Sequence, residues 1–313
     1  MAYEYRLNTG ASQQRAIDHL GDRDTFQTTF IGGLTYSVKV SGAYSGGGTL
    51  RDPNITLTDT AGNALRYNDD IVQGVDRDAQ ITFQIAPRGG GLYNLIVGET
   101  GNNATGSYTI TLSAGYATNN ADRVTGTAQA DGINGMAGND VIRGAGGADR
   151  LFGGDGNDQL LGGMGGDRLF GDAGNDTLRG GSGNDVLTGG TGADRLIGGA
   201  GADVFDFNSV AESRPGAYDI IQSGDGASAF QGVGQRGGDV IDLSGIDAND
   251  GLAGNQAFVW SNNRGAGTLY LSESGGNTIV YGHTNGDGVA DFMLVIADGT
   301  ITAQQYTGDE FIL

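Results

Sequence analysis

Large apolar residues recur at every ninth position between residues 142 and 205, with glycines and polar residues filling the intervals. Each one stands two positions after an aspartate. A lone apolar side chain between polar neighbours predicts a three-residue strand in which only the middle side chain points inward. The apolar positions are Ile142, Leu151, Leu160, Leu169, Leu178, Leu187, Leu196 and Phe205.

A glycine precedes each of these aspartates by two positions. Glycines suit the turn between successive strands because they adopt positive φ without a steric penalty. Two repeats then make one coil of a flattened solenoid, so that each repeat stacks on the next but one. The stacked aspartates form one column of Asp140, Asp158, Asp176 and Asp194 and a second of Asp149, Asp167, Asp185 and Asp203.

The repeat has irregular members. Asp122 and Asp131 continue the spacing towards the N-terminus without the glycine, and we expect them to belong to degraded capping repeats. Met136, Ala145 and Asp172 stand where the second glycine belongs, at a strain of about 1 kcal/mol each. Asp172 offers an additional oxygen to a metal ion.

Charge and composition point to a hard cation as the ligand. The chain has 37 acidic and 17 basic residues, a net charge of -20 and no cysteine. This balance argues against nucleic acid or an anionic membrane as a partner. Like charges stacked at strand spacing repel unless a cation lies between them, and calcium takes six to eight oxygen ligands. The alternative is that the aspartates form solvated Asx turns without an ion.

The repeat resembles G-G-x-G-x-D-x-U-x, the nonapeptide of RTX proteins. This resemblance implies a parallel calcium-binding β-roll over residues 119–207, with about six calcium ions and further ions at its ends. The ligands it implies are the eight stacked aspartates and backbone carbonyls. The carbonyls belong to Gly135, Gly144, Gly153, Gly154, Gly156, Gly162, Gly163, Gly165, Gly171, Gly174, Gly180, Gly181, Gly183, Gly189, Gly190 and Gly192.

Two other acidic segments are weaker candidates for calcium sites. The segment HTNGDGVAD (283–291) resembles part of an EF-hand loop, but His283 replaces the first ligand and Leu294 the last, so a polar hairpin turn is favoured. The second segment, an acidic loop that contains Asp69 and Asp70, either holds one calcium ion or is solvated. The candidate ligands are Asn285, Asp287 and Asp291 in the first segment, and Asp69 and Asp70, with Asp76 and Asp78 nearby, in the loop.

Strand-like segments return after residue 208. The stretches GGDVIDLSGIDAN, GTLYLSES and GNTIVYG and the ending GDEFIL resemble the C-terminal domain of serralysin-type metalloproteases. The resemblance implies a β-rich cap over residues 208–313 that ends in an uncleaved signal for a type I secretion apparatus. The signal residues are Asp309, Glu310, Phe311, Ile312 and Leu313.

Catalysis has no recognisable site in this sequence. The chain has two histidines and neither an H-E-x-x-H nor a G-x-S-x-G motif, so we expect a non-catalytic protein. Two alternatives stay open. One is a hydrolase with an unrecognised site in residues 1–120, and the other is a self-assembling surface-layer or fibre subunit.

Residues 1–118 contain short alternating strands separated by turns, which predict a β-sandwich. TFQTTF, TYSVKVSG, NITLTDTAGN, QITFQIA, GLYNLIVGE and GSYTITL are such strands, and their order resembles the pre-peptidase C-terminal domain. The resemblance implies a module for polysaccharide or matrix protein. Tyr67 and Tyr93 either stack on sugar or pack in the core or on the surface. Phe152 and Phe170 fall in one outward column of the roll, where they either form a binding platform or pack beneath a neighbouring domain.

The expected protein is thus all-β, with a sandwich, a roll and a cap. The N-terminus lacks the apolar core of a signal peptide, and no apolar run is long enough to span a membrane. Any export must then be directed from elsewhere in the chain. The two resemblances in residues 119–313 imply an extracellular or cell-surface protein that folds on calcium after export, and we expect it to act in adhesion or biofilm.

Overall fold

The structure is a computed structural model that describes residues 4–6, 12–17, 22–42, 50, 53–68, 79–85, 91–99, 106–112, 117, 119–224, 227–231, 238–299 and 301–313. The chain divides into two compact units, Met1–Ala117 and Thr118–Leu313. The described residues form strands and two short 3-10 helices, with no α-helix among them. The prediction of an all-β protein is confirmed.

The first unit has a five-stranded and a four-stranded sheet. The first sheet has the order β1-β3-β8-β5-β6, and the second has the order β2-β9-β4-β7. The strands are β1 (Glu4–Arg6), β2 (Ser12–Ile17), β3 (Asp24–Phe30), β4 (Thr35–Ser41), β5 (Pro53–Thr58), β6 (Ala64–Asn68), β7 (Ala79–Gln84), β8 (Gly91–Glu99) and β9 (Gly106–Leu112).

The core of this unit follows the alternation in its strands. Buried residues alternate with more exposed ones along β3, so that Phe26 and Phe30 face inward. Phe30 packs against Tyr36 and Phe83, at centroid distances of 4.5 and 5.2 Å. The six predicted strands are present, whereas β1, β2 and β6 were not predicted. Polar residues such as those of SQQRAI in β2 conceal the alternation in an edge strand.

The second unit begins with a solenoid of parallel strands and ends with a mixed sheet. Its strands are β10 (Arg123–Thr125), β11 (Gly132–Asn134), β12 (Val141–Gly146), β13 (Arg150–Asp155), β14 (Gln159–Met164), β15 (Arg168–Ala173), β16 (Thr177–Ser182), β17 (Val186–Thr188), β18 (Arg195–Ala200), β19 (Val204–Asp206), β20 (Asp219–Gln222), β21 (Val240–Asp242), β22 (Val259–Trp260), β23 (Thr268–Ser274), β24 (Asn277–His283), β25 (Phe292–Ala297) and β26 (Phe311–Ile312).

Each coil of the solenoid contains two repeats, as predicted. Leu160 pairs with Ile142 on one side of its sheet and with Leu178 on the other, and Leu169 pairs likewise in the second sheet. These inward side chains are 0 or 1% exposed and form the core. Complete burial of a leucine contributes about 1.5–3 kcal/mol.

Several strands are longer than the predicted three residues. Strands such as β14 contain six residues because their glycines continue the parallel pairing, as Gly163 does with Ala145 and Gly181. The prediction of three-residue strands was therefore wrong for these strands. It treated every glycine as part of a turn.

Both solenoid sheets continue beyond residue 207. The ten-stranded sheet runs from β10 through β20 to β25, β24, β23 and β22, and the seven-stranded sheet ends with β21 and β26. The predicted domain boundary at this residue stays a prediction. In the described part of the chain, no helix has the length and apolar character that a membrane span requires.

Candidate metal centre

The repeat aspartates form two ladders along the solenoid. One carboxylate oxygen, Oδ1, accepts a hydrogen bond from the backbone N–H of the aspartate 18 residues earlier. The Asp158 N–H, for example, donates to Asp176 Oδ1 at 2.7 Å, and the Asp176 N–H donates to Asp194 Oδ1 at 2.7 Å. The backbone thus fixes each carboxylate at a defined position between two coils.

The second oxygen of these carboxylates, Oδ2, has no hydrogen-bond partner although it is buried. The side chains are only 0 or 1% exposed. An unpartnered buried carboxylate oxygen is costly, and a row of them is a strong indication of bound cations. The residues are Asp140, Asp149, Asp158, Asp167, Asp176, Asp185, Asp194, Asp203 and Asp219.

A glycine five residues before each repeat aspartate makes room for Oδ2. A Cβ on Gly162 would overlap Asp167 Oδ2 and would lie 2.6 Å from the carbonyl oxygen of Gly180. No positive φ is involved at this position, so the glycine is required by space and not by conformation. The residues in this position are Gly135, Gly144, Gly153, Gly162, Gly171, Gly180, Gly189 and Gly198.

A different set of glycines has left-handed backbone conformation. Gly165, two residues before its aspartate, has a φ of 125°. The three non-glycine residues at the second glycine position have the same conformation: Met136 at 75°, Ala145 at 83° and Asp172 at 71°. The strain predicted for these three positions is confirmed.

Burial raises the pKa of the stacked carboxyl groups. For Asp176, burial is the main cause of a pKa of about 8; the hydrogen bond from Asp158 lowers it, and repulsion from Asp194 and Asp158 raises it further. The pKa of Asp219 is also raised to about 8 and that of Asp185 to about 7. Burial raises the pKa to about 6 for Asp140, Asp149, Asp194 and Asp239.

These donors fit calcium. Each ladder supplies carboxylate oxygens, and glycine carbonyl oxygens lie beside them, as that of Gly180 lies beside Asp167 Oδ2. Only oxygen is available, and oxygen is the ligand that a hard divalent cation prefers. Among the described residues, no three or more acidic, histidine or cysteine side chains come together as a metal cluster; the carboxylates are spread along the coils instead.

The weaker candidates at the N-terminal end and in the turn differ from the ladder residues. The backbone N–H groups of Asp131 and Asp122 donate to Oδ1 of Asp149 and Asp140, so both residues continue the ladders at their N-terminal ends. Asp131 Oδ2 accepts from Thr127, so it is not an unpartnered oxygen. Asp172 is exposed at the surface of the solenoid, but partial desolvation by the neighbouring coils, followed by repulsion from Asp155, raises the pKa of its carboxyl group.

The segment 283–291 is a hairpin connection between β24 and β25. Asp291 Oδ2 accepts from the Thr284 N–H at 2.8 Å, and its Oδ1 accepts from Asn285 Nδ2 at 3.0 Å. Asp287 Oδ1 accepts from the Val289 N–H. The geometry is that of the polar turn that the sequence favoured. Asp69, Asp70, Asp76 and Asp78 lie outside the described residues, so the second candidate stays a prediction.

The ladders extend beyond the predicted repeats. The Asp194 N–H donates to Asp219 Oδ1, and the Asp203 N–H donates to Asp239 Oδ1, across 25 and 36 residues. Asp239 Oδ2 accepts from the Gln231 N–H, whereas Asp219 Oδ2 is unpartnered. Both residues were missed because insertions interrupt the spacing. The signal was an aspartate two positions before an inward isoleucine, Asp-Ile-Ile and Asp-Val-Ile.

A shorter asparagine ladder precedes the aspartates by one position, and it was also missed. Asn139 Oδ1 accepts from the Asn157 N–H at 2.8 Å, and Asn157 Oδ1 accepts from the Asn175 N–H at 2.7 Å. Asn184 Oδ1 accepts from the Ala202 N–H. The recurrent Gly-Asn-Asp triplet was the signal for this ladder.

The four aromatic candidates differ in whether their rings pack against other residues or are exposed. Phe152 and Phe170 stack on each other, with centroids 4.8 Å apart, and Arg150 lies over both rings. Tyr93 packs against Phe30, and Tyr67 is 57% exposed.

The predicted secretion signal lies at the end of the seven-stranded sheet. β26 pairs with β21 through Phe311 and Ile312. Glu310 is 2% exposed and accepts from the N–H and hydroxyl of Thr307. Asp309 is exposed and Leu313 is half-buried.

Comparisons with known proteins find that the solenoid segment is similar to calcium-binding repeats. Residues 116–151, 143–178 and 179–209 each match the family model of the RTX calcium-binding nonapeptide repeat (4 copies). No curated protein matches the chain. The AlgE6R2 subunit of the Azotobacter vinelandii mannuronan C5-epimerase is 24% identical, covering 60% of this chain and 91% of that one, with a TM-score of 0.31.

Two further solved structures are similar over 36% of this chain at 14% identity. One is the pre-peptidase C-terminal domain of a Bacillus anthracis collagenase, of which 97% is covered at a TM-score of 0.29. The other is PliG, a periplasmic inhibitor of g-type lysozyme from Aeromonas hydrophila, of which 100% is covered at 0.24. The resemblance of residues 208–313 to serralysins stays a prediction. The segment from residue 116 to residue 209 is similar in sequence to RTX calcium-binding repeats.

Proposed function

We propose that this chain is a secreted, non-catalytic protein whose second unit folds on calcium. The observation that carries the proposal is the row of buried, unpartnered Oδ2 atoms beside glycine carbonyl oxygens. The similarity to RTX calcium-binding repeats supports it independently. About six ions between successive aspartates of the two ladders would neutralise these oxygens. The pair Asp194 and Asp219 provides one further place.

The free energy of calcium binding is of the size needed to control folding. Extracellular calcium modules have Kd values of about 10⁻⁴ to 10⁻³ M. At a tenfold excess over Kd, one site stabilises the folded state by about 1.4 kcal/mol, so six independent sites contribute roughly 8 kcal/mol. The total stability of a domain is about 5–15 kcal/mol. Without calcium, the second unit would lose a decisive part of its stability.

This coupling suits export by a type I secretion apparatus. A chain that is unfolded in calcium-poor cytosol passes a narrow conduit, and calcium outside the cell then folds it. The first unit would provide the binding module for cell-surface or matrix polysaccharide or protein, in adhesion or biofilm. The predicted secretion signal supports this order of events, since Glu310 and Phe311 are buried once the cap has folded.

The test uses circular dichroism and the fluorescence of Trp260, the one tryptophan of the chain. Trp260 lies in the second unit, so its emission reports on that unit even if the first unit stays folded. We expect β signal and a change in emission when calcium is added to chelated protein, and a smaller response to equal magnesium. Identical spectra in chelator and in calcium would contradict the proposal.

A further inference from the structure

A cleft of about 430 Å³ opens in the C-terminal part of the second unit. It lies between the strands β22 and β23 and the segment 303–308. Sites for small ligands have volumes of about 300–1,000 Å³ and combine apolar walls with a few polar groups. The cleft belongs to neither aspartate ladder. Its lining includes Trp260, Asn262, Leu269, Leu271, Gln304 and Thr307.

Trp260 forms an aromatic wall of this cleft and is unusually accessible. The residue is 40% exposed on an edge strand, next to Val259, which is 59% exposed. Phe311 packs against the indole edge-on, with centroids 4.9 Å apart, so the ring is held in place. The indole nitrogen lies beside Gly308, where a Cβ would be 4.0 Å away. A fixed, exposed aromatic ring is a low-entropy platform for a ligand.

Side-chain amides and hydroxyls line the rest of the cleft. Asn262 and Gln304 are exposed, and within the part of the chain that the structure describes neither side chain makes a hydrogen bond. Each amide offers a donor and an acceptor on one planar group. The described lining residues include no acidic or basic side chain. The Arg264 guanidinium lies over the ring of Tyr270, a lining residue, and is thereby already engaged with an aromatic partner.

We infer that the cleft binds a neutral sugar unit of a glycan. One face of a pyranose ring carries C–H groups that pack on an indole, while its hydroxyls pair with amides that both donate and accept. An anionic sugar would find no cation among the described lining residues and would meet the field of a chain with net charge -20. A peptide strand is disfavoured, because the edge strand β22 has only two residues and offers a short template.

The test is a titration of the calcium-loaded full chain with maltohexaose, cellohexaose, laminarihexaose and mannohexaose, monitored by Trp260 emission. Oligogalacturonate is the charged comparison. Folding is established first by the response to calcium alone, so a failure of the sugar site is distinguishable from a failure of calcium-dependent folding. We expect a saturable change with at least one neutral oligosaccharide and none with the uronate.

Two variants locate the site. Gln304→Ala should weaken binding on the order of tenfold, the effect of losing one well-formed hydrogen-bonding group. Gln14→Ala, a matched exposed amide in the first unit, should leave binding unchanged. Trp260→Ala, measured by calorimetry, should abolish binding while retaining the calcium-induced dichroism. No response to any neutral oligosaccharide, a response to uronate alone, or equal binding by both glutamine variants would overturn the inference.

Discussion

Replacing Asp176 with asparagine should have opposite effects with and without calcium. Asp176 lies within its ladder between Asp158 and Asp194, so it borders two of the proposed ion positions. Asparagine has nearly the same shape and keeps the Oδ1 that accepts from the Asp158 N–H. It replaces the unpartnered Oδ2 by an amide NH2, which cannot bind a cation.

With calcium, the variant should lose up to two ions. At a tenfold excess over Kd, each ion is worth about 1.4 kcal/mol, so Asp176→Asn should be destabilised by about 3 kcal/mol. In chelator at pH 8, the effect on stability has the opposite sign, and the variant should be more stable than the unmodified protein. Burial raises the pKa of Asp176 to about 8, so ionising it in the folded state is unfavourable, and the neutral amide avoids that cost.

The assay is calcium-dependent folding followed by Trp260 emission, together with the ion count from equilibrium dialysis. Asp155→Asn is the matched control, because it removes the same charge from an exposed position in the same solenoid. The variant at residue 176 should shift the calcium midpoint upward and bind fewer ions, and the control should match the unmodified protein. An unchanged ion count and midpoint in Asp176→Asn would refute the assignment of Oδ2 as a ligand.

Three further outcomes follow from the same geometry. The pKa values of Asp176 and Asp219 are raised to about 8, so both carboxyl groups hold protons below that pH in the calcium-free folded state. Calcium must displace these protons, so its apparent affinity should fall as the pH falls from 8 to 6. Calorimetry in HEPES and in Tris should then show proton release on calcium binding. Gly162→Ala should raise the calcium concentration at the folding midpoint, because the added Cβ would overlap Asp167 Oδ2 in the ladder. In Gly132→Ala the added Cβ has no atom within 4 Å, so this control should behave as the unmodified chain. Equal midpoints for the two variants would contradict the steric role of Gly162. Leu169→Ala should cost about 2–5 kcal/mol in a denaturant titration with calcium, since this side chain is 0% exposed, and a loss below about 1 kcal/mol would argue against a packed interior.

The solenoid could be predicted because its physical requirements repeat. An inward leucine such as Leu160 and a ladder aspartate such as Asp158 recur at a fixed spacing, and that spacing determines which residues stack. The strain at Met136 followed from the same alignment of repeats. Periodicity thus carries information about contacts that are distant in sequence.

Where the spacing is interrupted, the sequence loses this information. Asp219 joins its ladder across an insertion, and only the three-dimensional path of the chain shows that it follows Asp194. The two glycine classes also look alike in sequence. Gly162 is needed for the space around Oδ2 and Gly165 for its positive φ, a distinction that depends on which atoms face each position.

The two oxygens of each ladder carboxylate have different surroundings, and this difference explains why calcium should act on the whole roll at once. Oδ1 of Asp167 accepts from the coil before it, whereas its Oδ2 lies against Gly162 and has no protein partner. Every coil therefore contributes to the hydrogen bonds of one neighbour and, with the next, to an ion site. Stability in such an array depends on interfaces between neighbouring repeats. An ion that completes one interface positions the next pair of carboxylates, so calcium binding should be cooperative along the ladder.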